Sequence, residues 1–238
     1  MQATLIDSRE IAPGVRHFVF EARGVERFAF TPGQFVSFSG NIEGHLITRA
    51  YSIASAPCAD DAAALNRFEL CLNRVEGGIF SPHLFQLAPG DSVEMAPPLG
   101  TFVLREPLRD SLMIATGTGI APFRSMLPAA LKTGGPPITL LFGVRHESHL
   151  LYRIEFEAMA REFPQFRFWP TLTQPESGWS GRAGRVQAHL IEAIDSTCNT
   201  PSNLDIYLCG LKPMVDDVRR ILKDMGFNRK QIRYEKYD

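Results

Sequence analysis

The sequence predicts two halves of different class: an antiparallel β-barrel, then an open, doubly wound parallel α/β sheet. Three observations predict this. Short apolar runs broken by Pro and Gly fill residues 1–106. Alternating strand and helix patterns fill residues 107–238. The charge balance changes at the same place, from 8 basic and 12 acidic residues (net −4) to 17 basic and 14 acidic (net +3). A length of 238 residues accommodates this division, since a domain takes roughly 100–200 residues.

The runs VRHFVF, TPGQFVSF, RAYSIAS, RFELCLNRV and SVEMAPP are rich in Val, Phe and Tyr. Such segments separated by turns read as strands of a barrel or sandwich. Pro13-Gly14, Pro32-Gly33 and Pro89-Gly90 supply the turn chemistry. After REPLRD, at residues 105–110, the texture changes. SLMIATG is a strand and APFRSMLPAALKT a helix; ITLLFGV and LLYRIEFEAMAREF repeat the pair. FRFWPTLT with RVQAHLIEAI, and LDIYLCG with KPMVDDVRRILKDMG, repeat it twice more. Four strand–helix units predict a parallel sheet. Strands as apolar as LDIYLC fit burial on both faces.

Composition excludes several classes. Hydrophobic residues make up 45% and charged residues 21%, which rules out a disordered chain. A net charge of −1 argues against a polyanion partner such as nucleic acid. No apolar run reaches the roughly 18 residues of a membrane span. MQATLIDSRE lacks the basic stretch and apolar core of a secretion signal. The expectation is a cytoplasmic monomer. Cys58, Cys71, Cys198 and Cys209 form no CxxC pair. A zinc ribbon, an iron–sulfur cluster or a disulfide framework is therefore not expected. His83 and His146 are isolated from second ligands, so no metal site is expected.

Ligands of open α/β sheets sit at the carboxyl ends of the strands. The first such end is MIATGTGIAP, where Thr116, Gly117, Thr118 and Gly119 lead to Pro122. Glycines let a backbone approach a pyrophosphate, and a helix N-terminus offers free N–H groups. The loop departs from the dinucleotide fingerprint, because Pro122 stands where a third glycine belongs. The second strand ends at Arg145, and the third at Thr173-Gln174 with Arg182 and Arg185 beyond. Arginines there can grip a 2′-phosphate in bidentate fashion.

In the barrel half, Arg49, Ala50, Tyr51 and Ser52 suit a flavin. Arg49 would neutralise the pyrophosphate, Tyr51 would contact the ribityl and ring region, and Ser52 would reach flavin N5. Gly78, Ile79, Phe80 and Ser81 then open a helix and form a second anion cradle. Two cradles imply two phosphate-bearing ligands.

RAYS, GGIFSPHL, ATGTGIAPF, LLYRIEFE and YLCGLKPMVDDV, in this order, resemble the ferredoxin–NADP(H) reductase superfamily. The resemblance covers nearly the whole chain. It is closest to the compact bacterial ferredoxin/flavodoxin–NADP(H) reductases and the flavin halves of oxygenase reductases. It implies a six-stranded barrel holding FAD over residues 1–106 and an NAD(P)-binding domain over 107–238. Arg49, Tyr51 and Ser52 match the flavin motif, and Gly78 to Ser81 match the loop under the FAD pyrophosphate. Thr116 to Gly119 with Pro122 match the dinucleotide loop, with Thr118 close to the flavin. Cys209-Gly210 matches a strand-end cysteine beside the nicotinamide. Glu235-Lys236-Tyr237 resembles an ending whose aromatic ring covers the flavin. Here Asp238 follows, so Tyr237 is the stacking candidate and Tyr234 its rival.

By the same resemblance the expected activity is hydride transfer between NADP(H) and FAD. Single electrons then pass to a separate carrier, because the chain carries no cluster. Residues 212–238 hold 8 basic and 5 acidic side chains, a face suited to an acidic ferredoxin or flavodoxin. NADPH-specific members usually place Ser-Arg where Thr173-Gln174 stands, so NAD(H) stays open beside the expected NADP(H). The alternatives are an NAD(P)H:flavin reductase, a cluster-free oxygenase reductase component, and a non-enzymatic regulatory subunit.

Overall fold

Alternation of aromatic and polar residues makes the first half a closed sheet. The structure is a computed structural model that describes residues 1–42, 44–58, 61, 64–132 and 134–237. The first strands are β1 (Gln2–Ala12), β2 (Val15–Ala22), β3 (Phe35–Ile42), β4 (His45–Ser52) and β5 (Arg67–Asn73). Helix α1 (Phe80–Gln86) and β6 (Ser92–Leu99) follow. They form one antiparallel sheet in the order β4-β3-β6-β1-β2-β5. Its two edges meet where Ile53, just past β4, bridges Leu70 on β5.

The barrel core is aromatic. Phe20 meets Phe38 edge-on at 5.0 Å, and Phe28 stacks on Phe68 at 4.6 Å. All four are buried, and burying a Phe contributes roughly 2 kcal/mol. Two strands differ from the sequence reading. β1 was not expected, because QATLIDSREIA has no uninterrupted apolar run and two register shifts against β2. β4 starts at His45, earlier than RAYSIAS suggests, and forms a hairpin with β3.

In the second half the strands are β7 (Asp110–Thr116), β8 (Ile138–Val144), β9 (Phe166–Leu172), β10 (Arg182–Ala183), β11 (Leu204–Leu211) and β12 (Ile232–Tyr237). The helices are α2 (Ala121–Lys132), α3 (Arg153–Glu162), α4 (Leu190–Thr197) and α5 (Lys212–Asp224). The sheet is parallel, in the order β10-β9-β8-β7-β11-β12. β8 is buried at every residue, as a strand covered on both faces should be. Helix α5 buries Met214, Val215, Val218 and Leu222, one stripe of its surface. β12 is a difference: the C-terminal segment is a strand of the sheet rather than a loose ending.

The chain after β7 runs to β8 on one side, and β11 returns on the other. The strand order therefore reverses between β7 and β11, where the connecting loops part and leave a crevice. By packing, the chain forms two compact units: Met1–Val103 with Ala121–Met126, and Leu104–Ile120 with Leu127–Asp238. The division passes through α2, whose first half packs with the barrel strands. Among the described residues no helix is long and apolar enough to cross a membrane. No three His, Cys, Asp or Glu side chains among them are grouped to hold a metal ion.

Candidate active site

In the sheet unit, the ends of β7 and β11 converge so closely that only glycine fits between them. A Cβ on Gly119 would lie 2.3 Å from the Cys209 carbonyl oxygen. A Cβ on Gly210, whose φ is +148°, would lie 2.4 Å from Thr116 Oγ1. Thr116 Oγ1 is itself buried without a hydrogen-bond partner. An orphaned buried hydroxyl calls for an explanation, and beside a glycine turn it fits a dinucleotide. Gly117 has φ +54° and starts a 3₁₀ turn through Ile120 that leads into α2. Thr118 is half-buried on that turn, and Pro122 lies in the first turn of α2, where a missing N–H costs nothing.

The strand register brings the C-terminal candidates to the same place. Cys209 pairs with Glu235, and Leu211 with Tyr237. Cys209 is fully buried. Burial pushes its thiol well up, Glu235 pushes it further, and a hydrogen bond from the Tyr237 side chain opposes both. Strand side chains alternate between faces. Tyr234 and Lys236 accordingly face α5. The Arg219 guanidinium lies 3.8 Å from the Tyr234 ring, and Lys236 Nζ lies 2.5 Å from Asp216 Oδ1. Glu235 and Tyr237 point the other way, with Cys209.

The arginines at the strand ends are not equivalent. Arg182 on β10 donates to Glu192 at 2.7 Å and lies 3.6 Å over the Trp169 ring. Arg145 and Arg185 are exposed. The Thr173 and Gln174 backbones bond to the Val144 and Arg145 carbonyls, which places the end of β9 beside Arg145. An acidic group missed by sequence reasoning, Glu176, joins them. Its carboxylate accepts from the Glu147 N–H and pairs with His146 Nδ1 at 3.2 Å. Backbone N–H groups, with His146 beside them, hold the Glu176 carboxyl below its ordinary range.

In the barrel unit, β4 is an edge strand whose residues His45, Leu46, Thr48, Arg49 and Ala50 are exposed. Leu46 is 78% exposed. Tyr51 is half-buried between Phe38 and Phe80, with ring centroids at 5.9 and 6.3 Å. Burial pushes its phenol up to about 12, with Arg49 in partial opposition. Ser52 is buried at the strand end. Arg49 Nη1 donates to the neighbouring Thr48 carbonyl. An exposed Arg two residues from an aromatic ring on one strand fits a flavin diphosphate and its ring. Ser81 differs from the expected cradle. Its hydroxyl is buried and accepts from the Val75 N–H at 2.9 Å, so it fastens the glycine turn. Gly78 fits there because a Cβ would lie 3.0 Å from the Val75 side chain. Ile79 is half exposed just before α1, and Phe80 is buried as its first residue.

Two domain profiles match: an oxidoreductase FAD-binding domain over residues 2–104 and an oxidoreductase NAD-binding domain over 113–220. Together they define the class, a flavin- and nicotinamide-binding oxidoreductase. A ferredoxin–NADP reductase B of Sorangium cellulosum is 39% identical over 243 residues, covering 100% of this chain and 97% of that protein. The electron transfer component of a Pseudomonas putida toluate 1,2-dioxygenase is 32% identical, covering 99% of this chain and 67% of that one. Among solved structures, a ferredoxin NADP⁺ reductase from Neisseria gonorrhoeae with FAD and NADP bound superposes with a TM-score of 0.81 at 25% identity. That match covers 99% of this chain and 98% of the other. The chain belongs to the ferredoxin–NADP reductase family.

Proposed function

We propose that the protein is an FAD-dependent NADP(H) oxidoreductase that exchanges single electrons with an acidic ferredoxin or flavodoxin. The observation that carries this reading is the convergence of Thr116, Gly119, Cys209 and Gly210, with a buried hydroxyl left unbonded. Full-length similarity to a ferredoxin–NADP reductase supports it. The bound flavin supplies exchange between a two-electron hydride donor and one-electron carriers.

The chain's own residues bind, orient and exclude water. Arg49 neutralises the flavin diphosphate, Tyr51 packs along its ring end, and Ser52 offers a hydroxyl at the reacting edge. The Gly117–Gly119 turn and the N–H groups opening α2 receive the nicotinamide dinucleotide diphosphate. Thr116 Oγ1 donates to that ligand. Cys209 remains a neutral thiol because burial raises its pKa; it shapes the nicotinamide pocket and does not act as a nucleophile. Glu235 and Tyr237, held by β12 in register with Cys209, complete the reacting end. Tyr237 is the flavin-covering ring, because Tyr234 is engaged with α5. Arg145, Thr173 and Arg185 receive the 2′-phosphate of NADP(H), with Arg182 behind them. The protein acts as a cytoplasmic monomer.

The test is an absorbance spectrum of the purified protein before and after anaerobic NADPH. The expected result is a yellow protein that bleaches. A colourless protein that ignores NADPH refutes the reading. A second reading, an oxygenase reductase component, is favoured by the similarity to the toluate dioxygenase protein. It predicts a stable partner and slow ferredoxin reduction.

A further inference from the structure

Just past Ser52 the chain leaves the ordinary strand ladder. Ile53 makes a single bridge to Leu70, and side chains join the backbone in holding the next residues. Arg124, in the second turn of α2, donates from Nη1 to the Ala54 carbonyl at 3.0 Å and to Glu69 Oε2 at 2.5 Å. Ser125 Oγ donates to the Ser55 carbonyl at 2.6 Å. The Ser55 hydroxyl accepts from the Glu69 N–H at 3.1 Å, and the Ala54 N–H donates to the Glu69 carbonyl at 2.8 Å. All these residues belong to the barrel unit.

The chemistry of this cluster is specific. The Arg124 side chain is only 16% exposed, and a charge so covered needs a counter-charge. Glu69 provides it. His17 Nε2 lies 3.8 Å from the same carboxylate, but burial lowers the His17 pKa more than Glu69 raises it, with Arg124 and Arg9 lowering it further and Asp7 raising it. Arg124 therefore remains the cation that neutralises Glu69. Both bonds leave the same nitrogen, Nη1, whose two hydrogens lie fixed in the guanidinium plane, whereas the donors of an ammonium rotate. Two successive carbonyls, Ala54 and Ser55, thus point at successive side chains of one helix.

We propose that Arg124 and Ser125 are positioning residues for Ser52. They clamp the Ala54–Ser55 backbone from α2, the helix that opens directly after the dinucleotide turn Gly117–Ile120. The role rests on the flavin reading of Ser52.

The test uses purified holoenzyme and the variants Arg124→Ala, Arg124→Lys, Ser125→Ala and Ser125→Thr. The readouts are the visible absorbance and circular dichroism of the bound flavin, kcat, KM for NADPH, and Tm. Arg124→Ala is expected to alter the flavin bands and to lower kcat about tenfold, with Ser125→Ala lowering it about threefold. KM should stay within about twofold, because the affected interaction belongs to the reacting end. Ser125→Thr keeps the hydroxyl and should restore the wild-type spectrum; Arg124→Lys should recover part of it. Variants that lose Tm while keeping spectrum and kcat would show a structural tie only and overturn the proposal. If Arg124→Ala does not fold, the Ser125→Ala and Ser125→Thr pair decides by the same readouts. A wild-type protein without FAD, or inert to NADPH, fails the functional reading itself. A yellow, reducible wild type with indifferent variants fails only the positioning role.

Discussion

At the scale of single residues, the structure ranks side chains that look alike in sequence. Arg145, Arg182 and Arg185 are three arginines at strand ends, but Arg182 already holds Glu192 and stacks on Trp169. Alanine at Arg145 or Arg185 is expected to lower kcat/KM for NADPH about tenfold, since a charge-assisted contact to phosphate is worth 1.5–3 kcal/mol or more. NADH, which lacks the 2′-phosphate, should be used nearly as well as before, and Arg182→Ala should discriminate less. Paired kinetics with the two donors check this; equal losses with both would refute the assignment. Cys209 gives a pH prediction. Its raised pKa means the folded state keeps the thiol proton after the unfolded chain has lost it. Its contribution to stability is therefore present at neutral pH and declines as pH rises past 9.0, the ordinary thiol value. Iodoacetamide at pH 8 should leave Cys209 unlabelled in the native protein and label it in denaturant, as mass spectrometry would read. Native labelling would contradict a buried neutral thiol.

At the scale of elements, the start of the sheet unit is fastened by a buried ion pair. Asp205 on β11 is buried, and Arg105 Nε lies 2.7 Å from its Oδ2. The Arg105 N–H donates to the Tyr207 hydroxyl, and Nη2 donates to the Lys230 carbonyl. One residue thus ties the segment before β7 to β11 and to the turn before β12. Arg105→Ala leaves the Asp205 carboxylate buried and unpaired, and the expected loss is about 3 kcal/mol, measured by urea unfolding. A loss within experimental error would show that water replaces the arginine. Elements also mark where sequence reasoning stopped. The apolar strands β7, β8 and β11 were legible because burial on both faces leaves a continuous signal. β1 was not, because a strand with bulges and one wet face mixes Asp, Ser and Arg among its apolar positions. β12 carries no strand signal of its own, since IRYEKY becomes a strand only through pairing with β11.

At the scale of the whole molecule, the charge asymmetry survives but its local expression changes. Of the basic residues near the C-terminus, Arg219 and Lys236 pair with Asp216, and Arg220 pairs with Asp217. Short-range contacts with a carrier must compete with these pairs, whereas long-range steering depends on the summed field. Reduction of an acidic ferredoxin should therefore slow steeply as salt rises from low ionic strength, where the screening length is roughly 30 Å, to 0.15 M, where it is about 8 Å. Stopped-flow rates against salt measure it, and a flat profile would remove electrostatic steering. The family matches at both halves fit a chain in which one unit holds each ligand.

The sequence by itself determined the class of the fold and the family of cofactors its two halves serve. Periodicity reports burial, and glycines mark where a backbone must come close: the Gly117–Gly119 turn was legible for that reason. Only the tertiary structure decided which residues act together. Tyr237 rather than Tyr234 joins Cys209 because strand pairing fixes which alternate side chains face the same way. Arg182 is engaged by Glu192 and Trp169, whereas Arg145 is exposed at its strand end. Glu69, Arg124 and Ser55 meet although the chain separates them widely. Such meetings depend on distance in space, which a local pattern does not encode.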